Sequence, residues 1–140
     1  MKILIIEDDK GQAETLAKLL KKQRERQGDL DVECAPTLHD GISKGQMFKP
    51  DVTLLDPGLP DVSDWKESLN AIKELPRPVV VVTGLDDRDH QITLAAFMAG
   101  AEDVFHKPFC TTLTDRLLSA VTSAVLRYRA RMGILANGTR

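Results

Sequence analysis

The stretch Lys2-Ile3-Leu4-Ile5-Ile6-Glu7-Asp8-Asp9 decides the fold, because an apolar, β-branched run ends abruptly in three acidic residues. A short run of this kind predicts a strand that is covered on both faces, as in a parallel sheet. Three later runs also end in a polar residue, namely 51–55 before Asp56, 79–82 before Thr83 and 103–106 before Lys107. If these strands are parallel, their polar ends share one edge of the sheet, where α/β proteins bind ligands.

Helical patterns separate the strands. Apolar spacing, capping residues and glycine breaks together predict helices at about 12–26, 38–47, 65–75 and 90–99 and a last helix from about 111. A further strand is expected at 31–35. Strand and helix therefore alternate five times along the chain. This order predicts the α/β class, with a five-stranded parallel sheet, helices on both faces and right-handed crossovers.

The composition is that of one soluble globular domain. The chain has 140 residues, a net charge of −2, 42% hydrophobic and 29% charged residues. This balance excludes a disordered chain and bulk binding to nucleic acid or membrane through charge. Met1 leads directly into the first strand, and Cys34 and Cys110 have no metal-binding or redox spacing. We therefore expect a cytoplasmic protein with reduced thiols and no membrane span.

Three helix starts carry capping signals. Thr37 with Asp40 three residues later resembles a capping box. Ser63 or Asp64 can cap the third helix. Asp9 directly precedes the first helix, so a cap is the favoured interpretation of that carboxylate.

The polar strand ends suit a divalent cation and a phosphoryl group. Glu7, Asp8 and Asp56 would supply carboxylate oxygens from two neighbouring strands, and Mg²⁺ prefers such ligands. An Asp carboxylate can also form an aspartyl phosphate, while a Lys107 ammonium and a Thr83 hydroxyl can donate to phosphoryl oxygens. Each residue alone has an ordinary alternative, such as a strand-end cap or a solvated lysine. The set, in this order, is much more specific.

The chain resembles the receiver domain of two-component response regulators over about residues 2–128. The motifs that carry the resemblance are the strand ends and the loops after them: Ile3-Leu4-Ile5-Ile6-Glu7-Asp8-Asp9, Asp51-Val52-Thr53-Leu54-Leu55-Asp56, Leu59-Pro60-Asp61, Thr83-Gly84-Leu85-Asp86-Asp87, Ala99-Gly100-Ala101-Glu102-Asp103 and Lys107-Pro108-Phe109. The resemblance implies a CheY-like (βα)5 fold with strand order 2-1-3-4-5.

The resemblance also implies a metal site beside a phosphoacceptor. Asp56 matches the phosphoacceptor, and Glu7 and Asp8 match the acidic pair that places Mg²⁺, with Asp8 the more direct ligand. The third protein ligand would be the backbone carbonyl of Gly58, two residues past the phosphoacceptor. Asp9 falls one place past the acidic pair and is not counted as a ligand.

Two further residues match positions that contact the phosphoryl group. Thr83 matches the hydroxyl residue and Lys107 the lysine, and the Lys107-Pro108 peptide would be cis by this resemblance. The implied function is acceptance of a phosphoryl group from a sensor histidine kinase or a histidine phosphotransfer protein. A change in binding to a downstream protein would follow. Such a chain is a signalling phosphoacceptor rather than a conventional enzyme.

The expected organisation is one receiver domain at residues 1–130, followed by a frayed tail at 131–140. The arginines near residue 130 are expected to lie on a solvated helix end. The protein would be a monomer, or a weak dimer through the face formed by the fourth helix, fifth strand and last helix. No direct binding to nucleic acid is expected.

One position departs from the family pattern. Receivers commonly carry Tyr or Phe three residues before the lysine, and here that residue is Val104. Phe105 faces the other way in a strand, and His106, on the same side as Val104, is expected to be an ordinary solvated or packed histidine. We therefore expect activation to travel mainly through the backbone of the loop after Thr83.

The spacing of the motifs also differs from the usual one. The segment from Asp56 to Thr83 is short, which predicts a short third helix. Gly58 and Leu85 occupy positions that tune how fast the phosphate is lost. An apolar Leu85 would hinder the attacking water, so the aspartyl phosphate is expected to last minutes or longer.

Three other functions fit the sequence less well. A haloacid-dehalogenase type phosphatase would need a second acid at the position of Gly58. Flavodoxin-like FMN binding would need a phosphate loop where Glu7, Asp8 and Asp9 would repel the phosphate. A phosphorylation-independent interaction module with the same fold is favoured mildly by Val104, although the complete acidic set argues against it.

Overall fold

The computed structural model describes residues 1–24, 29–107 and 111–133. Strands and helices alternate: β1 (Lys2–Ile6), α1 (Lys10–Arg24), β2 (Asp31–Ala35), α2 (Leu38–Phe48), β3 (Val52–Leu55), α3 (Trp65–Asn70), β4 (Val79–Thr83), α4 (Gln91–Ala99), β5 (Asp103–His106) and α5 (Thr111–Arg131). Short 3₁₀ turns at Ala71–Glu74 and Arg88–His90 follow α3 and precede α4. The third helix is as short as its spacing predicts.

The five strands form one parallel sheet in the order β2-β1-β3-β4-β5, which confirms the predicted topology. Its ladder continues past the strand ends. The amide of Asp56 donates to the carbonyl of Ile6 at 2.9 Å, and the amide of Lys107 donates to the carbonyl of Thr83 at 2.7 Å. The residues that follow β1, β3, β4 and β5 are therefore held at one edge.

Each face of the sheet is covered by helices, because successive strand residues alternate between two apolar layers. One layer joins strand residues such as Ile5 and Val82 to α1 and α5. The other joins residues such as Ile6 and Val81 to α2, α3 and α4. Phe105 belongs to the first layer and Val104 packs against the second, in agreement with the predicted alternation.

Side-chain caps set where the helices begin. Helix α1 starts at Lys10, two residues earlier than predicted, because Asp9 Oδ1 accepts a hydrogen bond from the amide of Gln12 at 3.0 Å. Thr37 Oγ1 accepts from the amide of Asp40 at 3.0 Å, as its spacing indicates. Asp64, rather than Ser63, caps α3 by accepting from two backbone amides.

The arginines of the last helix bind the amino end of the sheet. Arg131 donates to Glu102 at 2.6 Å, and Arg127 donates to Glu102 and Asp103 at 3.4 and 3.3 Å. Arg129 donates to Asp51, just before β3, at 2.8 Å. This end of α5 is thus anchored by ion pairs, whereas the sequence pattern indicated only a solvated helix end.

The predicted cis peptide at Lys107-Pro108 lies outside the described ranges, as does most of the tail expected to fray at 131–140, namely 134–140. Of that tail, Arg131 is the last residue of α5. The cis peptide bond within the described part of the chain precedes Pro78. Among the helices that the structure describes, none combines the length and apolar character needed to cross a membrane.

Candidate functional site

Three carboxylates meet at the carboxyl edge of the sheet. Glu7, Asp8 and Asp56 each place an oxygen within 4.8 Å of the others. Glu7 is buried, with 6% of its surface exposed, Asp56 is half-buried and Asp8 is exposed. The parallel register explains the meeting, since Ile6 and Leu55 are partners at the ends of β1 and β3.

The ammonium of Lys107 is bound by three acceptors. Its Nζ donates to Glu7 Oε2 at 2.9 Å, to Asp56 Oδ2 at 3.0 Å and to Gln12 Oε1 at 2.7 Å. A lysine ammonium has three donors, so this set uses all of them. Sequence reasoning missed Gln12, which lies in the first turn of α1.

Burial and charge set the protonation of this cluster. Burial and the nearby Asp56 carboxylate raise the pKa of Glu7 to about 7, although Lys107 opposes the rise. Burial alone would raise the pKa of Asp56, but hydrogen bonds from Glu7, the Gly58 amide and Lys107 outweigh it and lower that pKa. Burial would lower the pKa of Lys107, but the two carboxylates raise it, so the amine stays charged at neutral pH.

The loop after β3 contacts Oδ1 of Asp56, the oxygen that does not accept from Lys107. The amide of Gly58 donates to Asp56 Oδ1 at 2.8 Å. A Cβ added at Gly58 would lie 3.4 Å from that oxygen and 3.6 Å from a methyl carbon of Leu85. Leu85 therefore stands across a narrow gap from the carboxylate, and glycine keeps the gap open.

Asp61 ties the same loop to α2. Its carboxylate accepts hydrogen bonds from the amides of Leu38 and His39, each at 2.9 Å. Burial would raise the pKa of Asp61, but these two amides outweigh it and lower that pKa. Asp61 is part of the Leu59-Pro60-Asp61 motif, and the sequence assigned it no role. In the structure its carboxylate accepts hydrogen bonds from the first two amides of α2.

Thr83 is buried at the end of β4, and its hydroxyl is engaged by its own loop. The amide of Leu85 donates to Thr83 Oγ1 at 3.0 Å. The carbonyl of Thr83 accepts from the amide of Lys107. The hydroxyl of Thr83 is therefore tied to the loop after β4, and its carbonyl is tied to Lys107 after β5.

Asp87 closes that loop onto α4 and β5. Its carboxylate accepts from the amides of Ile92 and Thr93 at 2.6 and 3.2 Å, from Thr93 Oγ1 at 2.6 Å and from His106 Nε2 at 3.0 Å. Burial would raise the pKa of Asp87, but these hydrogen bonds outweigh it and lower that pKa to about 2. His106 is thus a partner of Asp87 rather than a free histidine.

The site suits a hard divalent cation beside a nucleophile. Three carboxylate oxygens at this spacing are the ligands that Mg²⁺ prefers. Burial and, to a smaller extent, the neighbouring Asp56 raise the pKa of Glu7, and the charge of a cation would offset both. Lys107 adds a positive charge next to Asp56. The arrangement can therefore bind a cation, present a carboxylate oxygen to phosphorus and neutralise phosphoryl charge.

Comparison with known proteins agrees with this geometry. The family model described as the response regulator receiver domain matches residues 3–122. Protein-glutamate methylesterase/protein-glutamine glutaminase 2 of Methanosarcina acetivorans is 45% identical over 69 residues, which cover 49% of this chain and 19% of that protein. The cell cycle transcriptional regulator CtrA of Caulobacter vibrioides is 29% identical over 131 residues, which cover 92% of this chain and 52% of that protein. The chain thus spans about half or less of the length of these relatives.

The fold also matches a solved structure. The CheY-like receiver domain protein from Methanospirillum hungatei superimposes with a TM-score of 0.74 at 24% identity, covering 93% of this chain and 97% of that one. At this level of identity the match concerns the fold alone.

The low pKa of Asp87 generates a prediction about acid stability. The folded pKa of about 2 lies below the ordinary value of 3.8, so the stabilisation is complete above pH 3.8 and is lost as pH falls through 2. Asp87→Asn is expected to lower the free energy of unfolding by about 1–2 kcal/mol at pH 6 and by much less near pH 2. Urea unfolding at several pH values measures this difference.

The control for that experiment is Asp86→Asn, since Asp86 is an exposed neighbour that pairs only with the exposed Arg88 in the described structure. It should change stability little at any pH. An Asp87→Asn difference that stayed constant from pH 6 to pH 2 would contradict the assignment.

Proposed function

Because the chain belongs to the response regulator receiver domain family, we propose that it is a signalling switch that accepts a phosphoryl group on Asp56. The donor would be a sensor histidine kinase or a histidine phosphotransfer protein. The observation that carries the proposal is the contact of Asp56 with the Lys107 ammonium inside a cluster of three carboxylates. That cluster supports Mg²⁺ as the cofactor.

Transfer would begin with a carboxylate oxygen of Asp56. This oxygen forms a bond to phosphorus while the bond from phosphorus to the donor nitrogen breaks. The imidazole keeps the electron pair of that bond and takes a proton from solvent. Mg²⁺, when bound by Glu7, Asp8, Asp56 and the carbonyl of Gly58, would neutralise charge on the phosphoryl oxygens. Lys107 would pair with one of those oxygens, for which its position beside Asp56 provides support.

Thr83 would couple this chemistry to the loop after β4. Its hydroxyl would donate to a phosphoryl oxygen, and the amide of Leu85 would have to adjust because it donates to the same Oγ1. The same loop continues to Asp87, whose carboxylate accepts hydrogen bonds from α4 and from His106. This chain of contacts supports a route through the loop backbone, which does not need an aromatic ring at Val104.

The output would be a change at the surface formed by α4, β5 and α5. Helix α4 leaves three large apolar side chains exposed to solvent: Leu94, Phe97 and Met98. An exposed apolar stripe of this kind supports binding to a downstream protein or a weak dimer through this face. The reactions named for the longer relatives are not part of the proposal, since the chain matches only a part of them.

The proposed function predicts metal-dependent phosphorylation at one residue. Incubation with a small phosphodonor and Mg²⁺ should add one phosphoryl group, measured as the intact mass of the protein. Asp56→Ala and a chelator should each abolish the addition, because one removes the nucleophile and the other the charge that screens the phosphoryl oxygens.

No addition to the folded wild-type protein in the presence of the metal would contradict the proposal. It would favour the alternative, a phosphorylation-independent interaction module with the same fold. Addition that persisted in Asp56→Ala would place the acceptor at another residue.

Leu85 predicts a long-lived aspartyl phosphate. Its apolar side chain faces Gly58 across the gap beside Asp56, where it would keep out an attacking water. We expect the wild-type phosphate to last minutes or longer, and Leu85→Asn to shorten its lifetime by on the order of tenfold, equivalent to about 1.4 kcal/mol of barrier. The decay of the phosphorylated mass with time gives both rates.

Leu94→Asn is the matched control, since Leu94 is a more exposed leucine on α4. Its phosphate should decay at the wild-type rate. Loss of the phosphoryl group from the wild-type protein within seconds would rule out the shielding role. So would a decay rate in Leu85→Asn equal to that of the wild type.

The proposed route through the loop predicts different effects at Val104 and Asp87. Phosphorylation should shift the amide resonances of α4 and β5 in ¹H–¹⁵N NMR spectra. These shifts should persist in Val104→Ala and be largely lost in Asp87→Asn, because Asp87 joins the loop to both elements. Intact mass confirms equal phosphorylation of the samples. Strong effects of both Val104→Ala and Val104→Tyr, with none from Asp87→Asn, would refute this route.

A further inference from the structure

The Lys107 ammonium donates a hydrogen bond to Gln12, a residue that has no role in the phosphoryl transfer described above. The Oε1–Nζ distance of 2.7 Å is shorter than either carboxylate contact of the same ammonium. A hydrogen bond with a charged donor is about twice as strong as one between neutral groups. The residue lies 95 positions from Lys107 in the chain, so the contact joins α1 to the end of β5.

The orientation of the Gln12 amide is set from both sides. Its Nε2 donates to Asp9 Oδ2 at 3.4 Å, while its Oε1 faces Lys107. The reverse orientation would place two donors against the ammonium and an oxygen against a carboxylate. Asp9 also accepts the backbone amide of Gln12, which fixes the start of the side chain. Asp9 therefore aims Gln12 at the lysine.

We propose that Gln12 is a positioning residue for phosphoryl transfer, which holds the Lys107 ammonium in place while Asp56 changes from a carboxylate to an acyl phosphate. The inference rests on the proposed function. It concerns a side chain that the carboxylate pattern at the strand ends did not indicate.

Among the three acceptors of the Lys107 ammonium, Gln12 alone keeps its chemical character throughout the reaction. Asp56 loses its negative charge when one of its oxygens bonds to phosphorus. Glu7 belongs to the candidate cation site, so a bound cation would compete with Nζ for its carboxylate. The amide of Gln12 is neutral before and after transfer. It can therefore hold Nζ as the lysine exchanges the Asp56 oxygen for a phosphoryl oxygen.

A neutral acceptor also suits the approach of the donor. A carboxylate at position 12 would add a fourth acidic group beside Glu7, Asp8 and Asp56 and would repel the incoming phosphoryl group. An amide provides the same hydrogen bond without that repulsion. The capping of α1 does not depend on the amide side chain, because Asp9 Oδ1 accepts from the Gln12 backbone.

The first test observes the lysine directly, without metal or phosphodonor. The side-chain ammonium of Lys107 should give a slowly exchanging ¹H–¹⁵N signal, assigned by its loss in Lys107→Arg, since the side chain is only 18% exposed and has three acceptors. Gln12→Leu should broaden or remove the signal. Gln12→Glu, which keeps an acceptor at the same distance along the side chain, should retain it.

The second test measures the rate of phosphorylation by a small phosphodonor in the presence of Mg²⁺. Gln12→Leu should slow uptake by about tenfold, the scale of a lost hydrogen bond to a charged group. Gln46→Leu is the matched control, because it makes the same replacement at an exposed position on α2. It should change neither the lysine signal nor the rate.

The outcomes separate this inference from the function on which it rests. An unchanged lysine signal in Gln12→Leu, or a lost signal with a wild-type rate of uptake, would overturn the positioning role alone. Absence of uptake by the wild-type protein would instead overturn the proposed function. Loss of the signal together with slow uptake, both spared in Gln46→Leu, would establish the role.

Discussion

The site depends on the pairing of one ammonium with two carboxylates whose charged forms are disfavoured by burial and by their mutual repulsion. Glu7 and Asp56 follow adjacent strands, so the sheet register brings their like charges together. The energetic cost of this arrangement is visible in the raised pKa of Glu7, to which burial contributes most and Asp56 next. Lys107, delivered from the far edge strand, offsets that cost through contacts of 2.9 and 3.0 Å. The sheet order is therefore also the condition for the chemistry.

Apolar runs explain why the sheet and most of the site were predictable from sequence. A run such as 79–82 reports that both faces of a strand are buried, and the residue after each run then has a known place. Gln12, Asp61 and Asp87 could not be assigned in this way. Their partners Lys107, Leu38 and His106 are 95, 23 and 19 residues away, and such contacts depend on how loops fold back over the sheet. Periodicity reports burial of an element, whereas it carries no information about these pairings.

The first helix and the last arginines illustrate the same limit at element ends. Asp9 was favoured as a cap, and the cap moves the start of α1 to Lys10 because the backbone amide of Gln12 needs an acceptor. A charged helix end looks solvated in sequence, but Arg131 reaches Glu102 once α5 packs on the sheet. His106 likewise looked ordinary, and its contact with Asp87 appears only when the loop after Thr83 is in place.

The ion pairs at the end of α5 have a mechanical consequence. Partly exposed pairs of this kind contribute little stability individually, but Arg127, Arg129 and Arg131 together join α5 to residues at the amino ends of β3 and β5. The last turns of α5 are thereby braced against the amino edge of the sheet. Because the pairs reach residues beside both β3 and β5, this end of the helix and that edge of the sheet would move as one unit.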